Sequence, residues 1–342
     1  MDIRQVATGL ISIPPNGWGA IERIIWEYKK NLEILGHKID IVNINQVDPN
    51  VLHHVHVANL AIDCANRGVP YVYSLHDHHV EWYGKGSWVY NQNLEAIKRS
   101  VISFTHAEHL VDFFDETDKL FYLPHGVDTE FFVPADKAPE VPKLMMLANN
   151  GVAGDSTYDR KGFRYGIEAA KALDLEITVV GTDNILAFFD AHKDLLEYPK
   201  LTLIANNPDD ATVRKLYQEH SVFLHPSMLE AGHPNLTLLE AASCCLPIVG
   251  TYKGTKRIPG MCVIPEINTE EVRIGVLNML LYYDNFRSEM LDARHTYDWM
   301  NVCKMLDRFY TNVDKVKEQY TSEKTKQLYI NAYNNTQRYV RI

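Results

Sequence analysis

Short apolar runs of four to six residues alternate along this chain with longer stretches in which apolar residues recur every three or four positions. Ile3–Ala7, Tyr71–Leu75, Leu120–Leu123, Lys143–Ala148, Leu175–Gly181 and Ser221–His225 read as strands. Ala20–Leu35, with Ile21, Ile24, Ile25, Tyr28 and Leu32 on one face and Gly36-His37 as its stop, reads as an amphipathic helix, as do Tyr165–Leu173 and the run from Leu236 to about Cys245 before Pro247. Near-continuous apolar strands belong to sheets covered on both faces, and strands alternating with helices predict a doubly wound α/β architecture. The 342 residues suffice for two such domains. Glu140-Val141-Pro142 marks the expected linker, giving domains over residues 1–140 and 141–311, with a polar, helix-like tail over 312–342 that carries Tyr329, Tyr333 and Tyr339.

The chemistry concentrates where strands hand over to helices. Between the strand ending at His225 and the helix opening at Leu236 lies Pro226-Ser227-Met228-Leu229-Glu230-Ala231-Gly232-His233-Pro234-Asn235, a turn rich in Gly, Pro and Asn. Backbone N–H groups at a helix start can hold phosphate or sugar oxygens, and Glu230 and Glu240 can accept hydrogen bonds from sugar hydroxyls. This combination suits a ligand with both hydroxyls and phosphates. The N-terminal strand runs into Pro14, Pro15, Gly17 and Gly19 before its helix, an anion cradle in which glycine lets backbone approach a ligand. Gly17-x-Gly19 lacks the third glycine of a dinucleotide fingerprint. Arg160-Lys161-Gly162 precedes another helix, where a guanidinium and an ammonium can neutralise a leaving diphosphate. His76-Asp77-His78-His79 follows an apolar strand, but adjacent residues point in different directions, so His78 and His79 are poorly placed to converge on one ion. No metal is expected there, and His53, His54 and His56 are expected on the strand and its rim.

Pro-Ser-x-x-Glu, the Gly-containing turn, Leu-Glu-Ala and Leu-Pro-Ile-Val resemble the signature of retaining GT-B glycosyltransferases of family four, the group 1 glycosyl transferases. Pro14–Arg23 with Leu35-Gly36-His37 is similar to the family's opening motif, and Leu123–Phe132, with His125 where Asn is common, is similar to the element that ends its first domain. The resemblance covers about residues 3–311. It implies two Rossmann-like domains and a sugar moved from a nucleoside diphosphate, UDP foremost, to a hydroxyl acceptor, with hexose or pentose transferred and no cofactor or metal. It assigns catalysis to His76, Lys161 and Glu230, and donor binding to Gly17, Gly19, Arg160, Lys161, Gly232, His233, Pro234, Asn235, Leu236, Thr237 and Glu240. Glu240 is the acid for the ribose, Glu230 faces the donor sugar, and Lys161 holds the diphosphate. His76 stands by the donor sugar and acceptor, and Thr296–Tyr310 matches the family's closing Trp helix. The C-terminal tail is expected to pack back on the first domain. Two departures stand out. Nine residues separate Glu230 from Glu240, two more than the family's usual spacing, and Asp155 occupies roughly the place of an upstream phosphate-binding Arg.

Composition narrows the setting. No apolar run reaches the length of about 20 residues that spans a bilayer, and the N-terminus lacks a signal-peptide pattern, so a cytoplasmic enzyme is expected. The five cysteines lack zinc-site spacing and read as reduced and mostly buried. A net charge of −10 disfavours a broad electrostatic grip on membranes or nucleic acid. The acceptor class stays open between envelope or other glycans and, given the Asn-, Lys-, Tyr- and Ile-rich character of a compact chain that suggests a phage or viral enzyme, hydroxymethylated DNA bases. A same-fold epimerase or phosphorylase, or a silent sugar-nucleotide-binding protein, would use the same cleft. Oligomeric state is equally open.

Overall fold

A computed structural model describes residues 1–10, 12–15, 19–76, 79–149, 155, 157–228, 235–252 and 258–317. Gly17, Asp77, His78, Glu230, Gly232, His233, Pro234 and the tail beyond residue 317 lie outside the described residues. The chain divides into two compact units, Met1–Gly126 together with the stretch from Thr296, and Val127–His295.

The first unit is built on six parallel strands, β1 (Asp2–Val6), β2 (Lys38–Val42), β3 (Leu52–Val55), β4 (Tyr71–Leu75), β5 (Ile102–Thr105) and β6 (Leu120–Tyr122), in the order β2-β1-β3-β4-β5-β6. The second repeats the plan with β7 (Lys143–Leu147), β8 (Glu176–Val180), β9 (Leu201–Ile204), β10 (Val222–His225), β11 (Ile248–Gly250) and β12 (Met261–Val263), in the order β12-β11-β10-β7-β8-β9. Every strand of β3, β4, β5 and β10 is buried along its full length, as a sheet covered on both faces requires. In each sheet the chain first winds outward on one side and then resumes on the other. This creates a switch point between β1 and β3 in the first sheet and between β7 and β10 in the second, where open α/β sheets bind ligands beyond their strand C-termini. Both sheets are parallel and doubly wound, as the alternation of strands and helices predicts.

The units part company at residues other than those the linker reading places. Residues 127–140 group with the second unit, and the Trp helix groups with the first. Packing explains both. Ser243 donates to the Phe132 carbonyl at 2.6 Å, Gln218 to the Val133 carbonyl at 2.7 Å and Arg287 to the Ala135 carbonyl at 2.5 Å, which ties the 127–135 strap to the second unit. The helix Trp299–Lys317 lays Trp299, Val302, Leu306, Phe309 and Tyr310 into the first unit, with Trp299 edge-on to Tyr28 at 5.9 Å and Phe309 against Phe104 at 4.9 Å. Each such fully buried side chain contributes about 1.5–3 kcal/mol of transfer free energy, so a helix numbered with the second unit is fixed by apolar contact to the first. Gly126 serves the same junction. A Cβ there would stand 2.4 Å from the Trp299 ring, so close ring approach, not a special backbone turn, demands glycine in the Pro124-His125-Gly126 element.

Candidate functional site

At the switch point of the second sheet, residues 158–163 meet the chain leaving β10. Gly162 adopts the left-handed φ of 71°, and a Cβ on it would lie 2.5 Å from the Pro226 carbonyl, so only glycine fits. The Arg160 carbonyl accepts from the Met228 amide at 2.9 Å and from Ser227 Oγ at 3.4 Å, and Thr251 Oγ1 donates to the Ser227 carbonyl at 2.7 Å. Arg160 and buried Lys161 are therefore locked to the C-terminal end of β10. Arg160 also donates to the Asn149 carbonyl at 3.3 Å, just beyond β7, and Asn149 Oδ1 accepts from Thr182 N at 3.1 Å beyond β8. The ends of three neighbouring strands thus brace one cationic pair.

The helix that follows, Phe163–Leu173, does not offer the amide cradle that a strand-to-helix turn suggests. Asp159 accepts from the Phe163 amide at 2.8 Å and the Arg164 amide at 2.9 Å, occupying its first-turn donors. Burial pushes the Asp159 carboxyl up despite these backbone bonds, which hold it down. Positive potential for an anion at this helix start therefore comes from the Arg160 and Lys161 side chains.

The second helix start is different. Asn235 caps Leu236–Ser243 by accepting from the Leu238 amide at 3.1 Å, Thr237 Oγ1 donates to the same Oδ1 at 2.8 Å, and Asn235 Nδ2 donates to His225 Nε2 at 3.1 Å. The Asn–His bond fixes the cap to the end of β10. One turn later Glu240 is buried and accepts from Tyr217 Oη at 3.1 Å, a hydroxyl also directed at the Thr237 carbonyl at 3.2 Å. Tyr217 lies on the helix Asp210–Glu219 and has no signal in the sequence tying it to Glu240.

In the first unit, Gly19 precedes the helix Ala20–Ile34, and a Cβ on it would meet the Glu22 carboxylate at 2.8 Å. Glyicine here makes room for an acid in the first helical turn, where a carboxylate complements the helix dipole. His76 follows β4 and is half-buried. Around it the structure assembles histidines from four consecutive strand ends. His56 Nδ1 and His76 Nε2 are 2.9 Å apart, and the His76 ring stacks on His106 at 4.7 Å and lies parallel to His125 at 5.9 Å. The His106 and His125 rings stack at 3.8 Å. His54, on β3 two residues before His56, bridges Tyr310 Oη at 2.6 Å and Ser74 Oγ at 2.7 Å. Burial, reinforced by the neighbouring imidazoles, holds His54 and His56 well below the ordinary histidine value. His106 carries no motif signal, and His125 enters the sequence reading only as the residue standing where Asn is common. The signal lies in the offsets: His56, His76 and His106 each come one residue after a strand, and the pairings Leu75–Thr105 and Thr105–Tyr122 bring the strand ends level.

Residues 151–280 match the family model for glycosyl transferases group 1. Comparison with curated proteins returned no match. Among solved structures, a glycosyltransferase from Rickettsia africae ESF-5 is 16% identical with a TM-score of 0.66, over 92% of this chain and 98% of that one. Anabaena HepE in complex with UDP and glucose is 12% identical with a TM-score of 0.65, over 91% and 99%. The catalytic domain of starch synthase IV from Arabidopsis thaliana, bound to ADP and acarbose, is 11% identical with a TM-score of 0.64, over 91% and 98%.

Proposed function

We propose that this chain is a group 1 glycosyltransferase, a retaining enzyme that moves a sugar from a nucleoside-diphosphate sugar, UDP-sugar foremost, to a hydroxyl acceptor. The observation that carries the reading is the pairing of Arg160 and Lys161 with the end of β10 at the switch point of the second sheet, one turn of chain from the Asn235-capped helix that bears Glu240. Diphosphate departure places negative charge beside the sugar as an oxocarbenium-like centre develops. The Lys161 ammonium and Arg160 guanidinium oppose that charge, and the Leu236 and Thr237 amides add neutral donors; each well-placed donor contributes about 3 kcal/mol to such a transition state. Since these groups are supplied by the protein, no divalent ion is needed to neutralise the diphosphate.

Glu240 receives the ribose hydroxyls, with Tyr217 holding one carboxylate oxygen so that the carboxylate is oriented before the ligand arrives. His76 positions the donor sugar or the acceptor hydroxyl, and the acceptor hydroxyl attacks from the face the diphosphate leaves. Glu230 is assigned to the donor sugar by resemblance and lies outside the described residues. The bound UDP of HepE and the bound ADP of starch synthase IV accord with a nucleotide in this fold and differ in base, so a screen must include several bases. Thermal shifts with UDP-, GDP-, ADP- and CMP-sugars, followed by mass spectrometry of glycan and DNA acceptors, test the proposal. A donor that raises the melting temperature and adds one sugar mass to an acceptor supports it; stabilisation by none of the four overturns it.

A further inference from the structure

We infer that His76, His106 and His125 form a binding site for a divalent transition-metal ion of the zinc class. This goes beyond the transfer reading, which uses no metal; an ion held here would take the His76 nitrogen which that reading gives to the donor sugar or acceptor, so the two roles belong to the metal-loaded and the metal-free protein. One ring nitrogen from each of the three residues lies within 4.8 Å of those of the other two, and His106 and His125 are buried. The group contains no carboxylate and no thiol. Neutral imidazoles suit Zn, Cu, Ni and Co, whereas Mg and Ca call for oxygen ligands.

The surrounding hydrogen bonds set the tautomers that coordination requires. His106 Nδ1 donates to the Leu123 carbonyl at 2.7 Å, so its lone pair resides on Nε2. Gln5 Oε1 accepts from His56 Nε2 at 2.8 Å, which makes His56 Nδ1 the acceptor of the 2.9 Å bond from His76 Nε2 and puts the His76 lone pair on Nδ1. A backbone carbonyl behind one ligand and a Gln–His chain behind another are the outer contacts that orient metal-binding imidazoles. The rings are stacked, and because a metal must lie in the plane of each ring it binds, coordination requires them to turn about χ2, a broad and soft torsion for histidine, with their outer hydrogen bonds kept or remade. Three protein ligands leave a fourth tetrahedral position to water.

The test uses the full chain, stripped of metal and titrated with Co2+ as a spectroscopic probe and with Zn2+ by equilibrium dialysis. The expected result is one ion per chain, visible cobalt bands without thiolate charge transfer, and affinity weakened by about tenfold or more in His106→Ala and in His125→Asn. X-ray absorption of the zinc-loaded wild-type protein adds a readout that needs no variant to fold, with a shell of imidazole nitrogens at about 2.0–2.1 Å. The inference is overturned by the absence of saturable one-to-one binding, by sulfur in the zinc shell, or by unchanged affinity in both variants. None of these readouts involves a nucleotide sugar, so failure here leaves the transfer reading standing, and failure of transfer leaves this site standing.

Discussion

His76 separates two roles that a ligand-facing histidine can play. A group that acts on the reacting sugar or acceptor changes the transition state more than ground-state nucleotide binding. His76→Ala should therefore lower kcat for transfer by about 10²-fold or more, the usual scale for a positioned acid–base group, while nucleoside diphosphate affinity measured by calorimetry stays within about twofold of wild type. Intact transfer in the variant would reduce His76 to a structural member of the histidine row. Gly162 has a single-residue consequence as well. Its left-handed backbone and the Pro226 carbonyl 2.5 Å from an added Cβ mean that Gly162→Ala meets both strain and collision. We expect it to destabilise the protein by about 1 to 3 kcal/mol and to weaken diphosphate binding, because Arg160 and Lys161 are held through that turn. Urea unfolding with unchanged stability would contradict the reading of the turn.

At the scale of elements, the apolar runs over residues 71–75, 120–123, 143–148 and 221–225 are strands in the structure within a residue at each end, because buried parallel strands leave an uninterrupted apolar record. What the sequence does not display is which element covers which. The capping of Phe163–Leu173 by Asp159 required knowing that the Asp159 carboxylate turns back onto the helix, and the Tyr217–Glu240 bond joins residues on two helices whose pairing only the fold decides. The histidine row has the same origin, since register, not spacing in the chain, places residues 56, 76, 106 and 125 side by side. That row also predicts an acid-sensitive first unit. His54 is fully buried on β3, and its folded pKa lies well below the ordinary 6.5, chiefly through desolvation and then through His76 and His106. Below about pH 6.5 the unfolded chain binds the proton that the folded chain refuses, so stability is present above that pH and falls as the solution is acidified, by at most about 1.4 kcal/mol per pH unit for one such group. All five tryptophans fall at residues 18, 26, 82, 88 and 299, so their fluorescence follows the first unit alone. Its urea midpoint should drop between pH 7.5 and 5.5; a flat midpoint across that range would show that the His54 site is not the buried neutral pocket described.

For the whole molecule, hydrophobic pattern and size were enough to indicate two doubly wound units, because each sheet is specified by its own strands. The boundaries were not legible, since the strap 127–135 and the Trp helix are assigned by long-range contacts from Ser243, Gln218, Arg287 and Tyr28 that leave no local trace. The same limit applies to the candidate donor site: Lys161, Asn235 and Glu240 were legible from motifs, whereas their supports Asn149, Asp159, Tyr217 and His225 were not. Among the described residues no helix is long and apolar enough to cross a membrane. If Arg160 and Lys161 neutralise the diphosphate, transfer should continue in excess EDTA at close to its untreated rate; complete loss restored by manganese or magnesium would show that a cation does that work instead. The central claim is a nucleotide site in the second unit built around Glu240, and the most direct measurement is calorimetric titration of UDP, ADP and GDP into the wild-type protein and into Glu240→Ala. The account predicts that one of the three binds with one-to-one stoichiometry and that the substitution, by leaving ribose hydroxyls without their acceptor, weakens it by about 1 to 3 kcal/mol, roughly 5- to 140-fold. Equal affinity in the two proteins, or no binding of any of the three to the wild type, would contradict it.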